Sequence, residues 1–216
     1  MHANRSLARR ASLVVTAAAA TVVLAACGGG NDHSGATHNA SSNTASASAS
    51  VSANQYNQAD VSFAQQMIPH HRQAVAMAGM AASHGASSEV KALAEKIEKA
   101  QDPEIETMSG WLKAWDAKVP DAMEGMPAMG GMDHGDHASM PGMMGQEDMD
   151  KLGGTIDKDF DRMFLTMMIE HHEGAVDMAK TEQQKGASPD AMSMAGDIVR
   201  AQTVEIAQMR QMLGTS

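Results

Sequence analysis

The chain has 216 residues, 26 Asp+Glu against 16 Lys+Arg, a formal charge of −10, and 21 methionines beside only six aromatic residues (Trp 2, Tyr 1, Phe 3). An acidic balance of this size argues against nucleic acid as a partner, and the single cysteine leaves no internal disulfide to staple a fold. So much thioether in a chain so poor in aromatics asks what the sulfur is for, packing or ligation.

In chain order, Arg5, Arg9 and Arg10 precede an apolar stretch from Leu13 to Ala26 and then Leu24-Ala-Ala-Cys27 followed by glycines. This is the layout of an export signal, and at 14 residues the stretch falls short of the roughly 20 that cross a bilayer. Leu-Ala-Ala-Cys27 resembles the lipobox of bacterial lipoproteins, which implies that residues 1–26 are removed and that Cys27 is lipidated, anchoring the chain to the outer face of the cell membrane. Loss of that leader takes three arginines and no acid, so the charge moves from −10 to −13. Residues 27–54, rich in Gly, Ala, Ser, Thr and Asn, cannot bury enough apolar surface to offset ordering and read as a flexible tether; His33 and His38 there are solvated linker residues.

From Asp60 to Ser83 the three- and four-residue steps of Phe63, Met67, His70/His71, Ala74 and Met77 predict a helix capped by Asp60 and stopped at Gly85. Ser87 caps a second helix running to about Trp115 with Val90, Leu93, Ile97, Met108 and Leu112 on its apolar face. Residues 157–184 predict a third helix, and Ser188-Pro189 opens a fourth. Pro69 inside the first helix removes a backbone donor and favours a kink.

Residues 60–112 and 161–213 align without a gap at an offset of 101, with 21 identities in 53 positions, so the chain holds an internal duplication. The expected fold, over residues 55–216, is all-α: a four-helix bundle built from two helical hairpins, whose long connection joins helices two and three. That connection, residues 118–150, carries Met123, Met126, Met129, Met132, Met140, Met143, Met144 and Met149, with His134 and His137, among Gly, Pro and Asp, and reads as neither helical nor packed.

The two copies share Met-Ile-x-His-His-x-x-Ala-Val-x-Met. At 100° per residue, Met67, His70, His71 and Met77 fall in a sector of about 120°, and Met168, His171, His172 and Met178 repeat it. Imidazole suits copper, zinc, iron and nickel, whereas thioether selects Cu(I), so the combination points to copper, with Cu(I) favoured and Cu(II) admitted. The helical methionines alone fit core filling equally well. Two adjacent histidine pairs in equivalent places are harder to read as structural, because burying imidazoles without partners is costly. Glu104 with Met108, and Glu205 with Met209, share a face with Gln101 and Gln202, and serve as secondary ligands, as groups orienting the histidines, or as buried polar structure. Met126, Met129, Met132, Met140, Met143 and Met144, with His134 and His137, form the candidate loop ligands, because a Gly/Pro/Asp-rich segment gives them no core to fill.

The doubled motif, the tandem duplication and the leader together resemble the bacterial "domain of unknown function 305" family, which includes CopM-type copper-binding proteins. The resemblance spans about residues 55–216 and implies a ferritin-like four-helix bundle that binds copper outside the cytoplasm, with the eight motif residues Met67, His70, His71, Met77, Met168, His171, His172 and Met178 as ligands. The expected function is copper sequestration or transfer for tolerance or homeostasis, with metal ions, the membrane through Cys27 and other copper-handling proteins as partners, and no catalysis. Two alternatives remain at this level: a di-iron carboxylate protein, for which only Glu104 and Glu205 fit the ligand scheme, and a helical interaction or stress module with pH-sensing histidines.

Overall fold

The computed structural model describes residues 55–122 and 140–214. The leader, the tether, Cys27, Met123, Met126, Met129, Met132, His134 and His137 lie outside them. Five helices follow in order: α1 (Gln58–Gly79), α2 (Ser88–Ala114), α3 (Gln146–Gly153), α4 (Asp157–Lys185) and α5 (Pro189–Leu213), with no strand among the described residues. No described helix is long and apolar enough to cross a membrane.

The cap of α1 is Asn57, not Asp60. Asn57 accepts from Ala59 N and Asp60 N, and Asp60, three residues in, returns a bond to Asn57 N at 2.5 Å, a reciprocal capping box. The helix ends at Gly79, ahead of the expected Ser83, and residues 80–84 continue as a hydrogen-bonded turn into Gly85, whose φ of +68° closes it. It runs through Pro69 as one helix. Ser87 and Ser188 cap α2 and α5 as predicted, each accepting from the amide three residues on, with Pro189 in the first turn.

Four long helices make the bundle. α1 packs on α2, α4 packs on α5, and α1 meets α4 between the hairpins. One apolar cluster gathers Met77, Leu93, Ile97, Phe160, Phe164, Met168 and Met209; the other gathers Phe63, Met67, Ile68, Met108, Leu112 and Ile198. The hairpins also clasp each other at their turns. Asp60 accepts from Ser188 N at 2.8 Å and Asp161 accepts from Ser87 N at 3.1 Å, the same bond viewed from either repeat.

The connection between the hairpins departs from the expectation that none of it is helical or packed. Residues 146–153 form α3, and Met149 and Leu152 bury themselves against the core, 2% and 0% exposed. Eight residues are enough to lay two apolar side chains, three apart, on one face.

Candidate metal centre

Helical spacing puts His70 and His71 on the buried side of α1, and His171 and His172 on the buried side of α4, all at most 1% exposed. Where the two helices meet, the His70 and His171 rings lie with centroids 3.8 Å apart, tilted by 42° to each other. The outer member of each pair turns to the second helix of its own hairpin. His71 Nε2 lies 2.7 Å from Glu104 Oε2 and His172 Nε2 lies 3.0 Å from Glu205 Oε2. A carboxylate can only accept, so each imidazole donates from Nε2.

His70 donates its own Nε2–H to the carbonyl of Pro141 at 3.0 Å. In a neutral ring that donates from Nε2, Nδ1 is a bare lone pair, the form a metal needs. Nδ1 of all four histidines, and Nε2 of His171 as well, are buried with no hydrogen-bond partner. Buried polar atoms rarely go unmatched, so five across two adjacent histidine pairs call for a partner. For His70 the neutral form is enforced: burial, helped by the neighbouring His71 and His172, pushes its pKa down to about 3 against the pull of the Pro141 carbonyl. Burial likewise holds His171 well below its usual value, with His70, His172 and His71 adding to it against a weak polar contact with the His70 backbone. His172 is lowered by burial although Glu205 opposes the shift. Burial alone would raise Glu205, but His172 and the Lys96 ammonium, 3.3 Å from Oε1, hold it below the ordinary range, so it stays a carboxylate.

The other predicted residues distribute as follows. Met67 and Met108 pack in one apolar cluster, Met77, Met168 and Met209 in the other, all 0% exposed. Met178 is half-buried in a groove of about 380 Å³ between α1 and α4, together with Phe63, Pro141 and Glu182. Gln101 and Gln202 are buried with their Oε1 atoms unpartnered. Of the loop candidates, Met140, Met143 and Met144 are half-buried in the segment that crosses His70. Among the described residues no three His, Cys, Asp or Glu side chains converge on one point. The buried imidazole nitrogens, with few oxygens near them, suit a soft, low-coordinate ion better than a hard one that demands many oxygens.

Sequence reasoning missed Gln73, Pro141, Gly142 and Gly174. Gln73 is 3% exposed, and its amide bonds both backbone groups of Met144, from Nε2 to the carbonyl at 2.9 Å and from the Met144 amide to Oε1 at 2.7 Å. A signal was present: positions 73 and 174 are equivalent, yet hold Gln and Gly inside the most similar stretch of the repeat.

The family profile described as "Domain of unknown function (DUF305)" matches residues 60–213. The chain belongs to the DUF305 family. Solved DUF305 structures share its fold. One from Streptomyces coelicolor, inferred to be secreted, is 31% identical over 72% of this chain and 92% of its own, with a TM-score of 0.62. A fragment from Deinococcus radiodurans is 29% identical over 74% and 98%, with a TM-score of 0.63. CopM in its Cu(II)-bound form is 36% identical over 70% and 93%, with a TM-score of 0.57, and CopM has also been solved with Cu(I) and with silver. Among curated proteins none matches.

Proposed function

We propose that this DUF305 protein binds copper, Cu(I) in preference to Cu(II), outside the cytoplasm and sequesters it or hands it on. The observation that carries the reading is the two buried histidine pairs, which meet through His70 and His171 between α1 and α4 and leave five nitrogens partnerless. Three of the rings are fixed by an outer carboxylate or carbonyl, imidazole nitrogen suits copper, and methionines are packed in the apolar clusters of the same bundle. The likeness to CopM solved with Cu(I), Cu(II) and silver supports the same cargo here.

His70, His71, His171 and His172 are the proposed ligands, with Met67, Met77, Met168 and Met178 as candidate sulfur donors and Glu104 and Glu205 as orienting groups. The export leader and Cys27 support an envelope location with a lipid anchor. Thioether and imidazole suit that location because neither has to shed a thiol proton or resist disulfide formation. The protein acts as a carrier or store rather than as a catalyst.

Titration of the purified protein with Cu(I) against a competing chelator, followed by mass spectrometry, tests the proposal. The expected result is more than one retained ion. No retention at micromolar chelator overturns it.

A further inference from the structure

The chain crosses the histidine pair as a tight turn. Met143 N donates to Met140 O at 3.1 Å, with Pro141 and Gly142 between them and Gly142 at φ +76°, a turn that needs glycine at its third position. Three contacts fasten it. The Pro141 carbonyl takes the Nε2–H of His70, and Gln73 grips the backbone of Met144 through both ends of its amide. On the far side the turn presses on the backbone of α4: a Cβ on Gly142 would lie 2.6 Å from the Glu170 carbonyl oxygen and 2.9 Å from that of His171, and a Cβ on Gly174 would overlap the Pro141 carbonyl.

Gln73 and Gly174 occupy the same place in the two repeats. One copy supplies a grip where the other supplies room, so the turn sits in a single orientation on a pair of helices that are otherwise related by twofold symmetry. With it in place, His70 and His171 are sealed, 0% and 1% exposed, and one of the His70 nitrogens is committed to a backbone carbonyl.

We propose that residues 140–144 are a strap controlling access of Cu(I) to His70 and His171, with Gln73 as its latch and Gly174 as its seat. The inference rests on the copper reading given above. An ion reaches the paired imidazoles when the turn lifts, and the latch sets how often that happens. Gln73 is a positioning residue: it holds Met144, and through the turn it holds the Pro141 carbonyl on His70.

Two variants separate this from inert packing. Gln73→Ala removes the latch. Gly174→Ala places a methyl under the Pro141 carbonyl while leaving α4 with a better helix former. Two readouts apply to each: modification of His70 and His171 by diethylpyrocarbonate in metal-free protein, and the rate of Cu(I) loading by stopped flow with the final stoichiometry from mass spectrometry. The expected result is a roughly tenfold rise in modification and in loading rate, the scale of opening set by one or two lost hydrogen bonds, with the same number of ions at saturation. Unchanged modification and unchanged loading rate, with amide exchange at Met144 accelerated, overturn the strap. If the wild-type protein takes up no Cu(I) the copper reading fails, and the metal-free modification still decides the strap: a rise in both variants supports it and no rise overturns it. Should Gln73→Ala fail to fold, Gly174→Ala carries the test alone.

Discussion

His70 and His171 occupy equivalent positions of the two repeats, and their ring centroids are 3.8 Å apart. Residues related by a twofold axis can touch only where that axis passes, so this pair marks the axis, and the cluster belongs to both hairpins at once. His71 with Glu104 and His172 with Glu205 then flank it, each glutamate 33 residues after its histidine.

A shared centre predicts that the copies do not act as two independent sites. Replacing His70 alone, or His171 alone, with Ala weakens Cu(I) binding in both halves, beyond the roughly 10–100-fold that loss of an outer-shell partner brings. Competition with a chelator, run on each single variant and on the double, measures it. Additive, half-sized losses would mean separate sites.

The metal-free protein should weaken in acid. The His70 pKa of about 3 lies below the usual value of 6.5, so the folded state binds fewer protons than the unfolded chain. Its contribution is complete above pH 6.5 and is lost progressively as pH falls toward 3; by pH 4.5 the loss from this one ring is roughly 2–3 kcal/mol. His171 and His172, lowered chiefly by burial, act in the same direction. Urea midpoints at about pH 7 and about pH 4.5 check this, and His70→Leu should reduce the difference without abolishing it.

Much of the fold was legible because it rests on periodicity. Apolar residues at three- and four-residue steps mark four amphipathic helices, Ser87 and Ser188 are caps that need only local chemistry, and 21 identities at one offset announce two hairpins. The burial of four imidazoles followed from the same spacing. What hid was everything held by backbone across the chain. The Pro141 carbonyl on His70 and the fit of Gly142 to Gly174 involve no side-chain pattern, and Pro and Gly in a polar stretch read simply as loop. Helix α3 hid for a related reason: Met149 and Leu152 are a single apolar pair, too short a run for periodicity to show. Asp60 reads as a cap because Asp and Asn serve equally there, and its bonds to Ala187 and Ser188 depend on a turn 127 and 128 residues away.

Those bonds bring a second titrating group into play. Glu182 is buried beside Asp60, and burial first, then the Asp60 carboxylate, raises it to about 8, so it is protonated at neutral pH. Burial would raise Asp60 too, but Glu182 and the amides of Asn57, Ser188 and Ala187 hold it below its usual value. A raised acid stabilises the fold below its unfolded value of 4.5, and that contribution is lost as pH rises through about 8. Glu182→Gln can donate to Asp60 with no proton to lose. Melting curves between about pH 6 and about pH 9.5 should therefore fall for the wild type and stay level for the variant, a gap on the order of 1 kcal/mol at the alkaline end. The first repeat has Ala81 where the second has Glu182, so Asp161, the counterpart of Asp60, lacks this acid at the equivalent place and the effect is specific to the α4–α5 turn.

The methionines pose the sharpest division between packing and ligation, since Met67, Met77 and Met168 are 0% exposed and lie in apolar clusters. Leucine keeps nearly the same volume and removes only the sulfur, and such a swap in a core costs less than about 1.5 kcal/mol. Each of Met67→Leu, Met77→Leu, Met168→Leu and Met178→Leu should therefore leave thermal stability close to that of the wild type. If sulfur completes the imidazole site, Cu(I) affinity falls in the variants whose thioether is a ligand while Cu(II) affinity, carried by nitrogen, changes little. Chelator competition with each oxidation state reads the two separately. Equal Cu(I) affinity in all four variants would assign these side chains to the core and leave copper to the histidines alone.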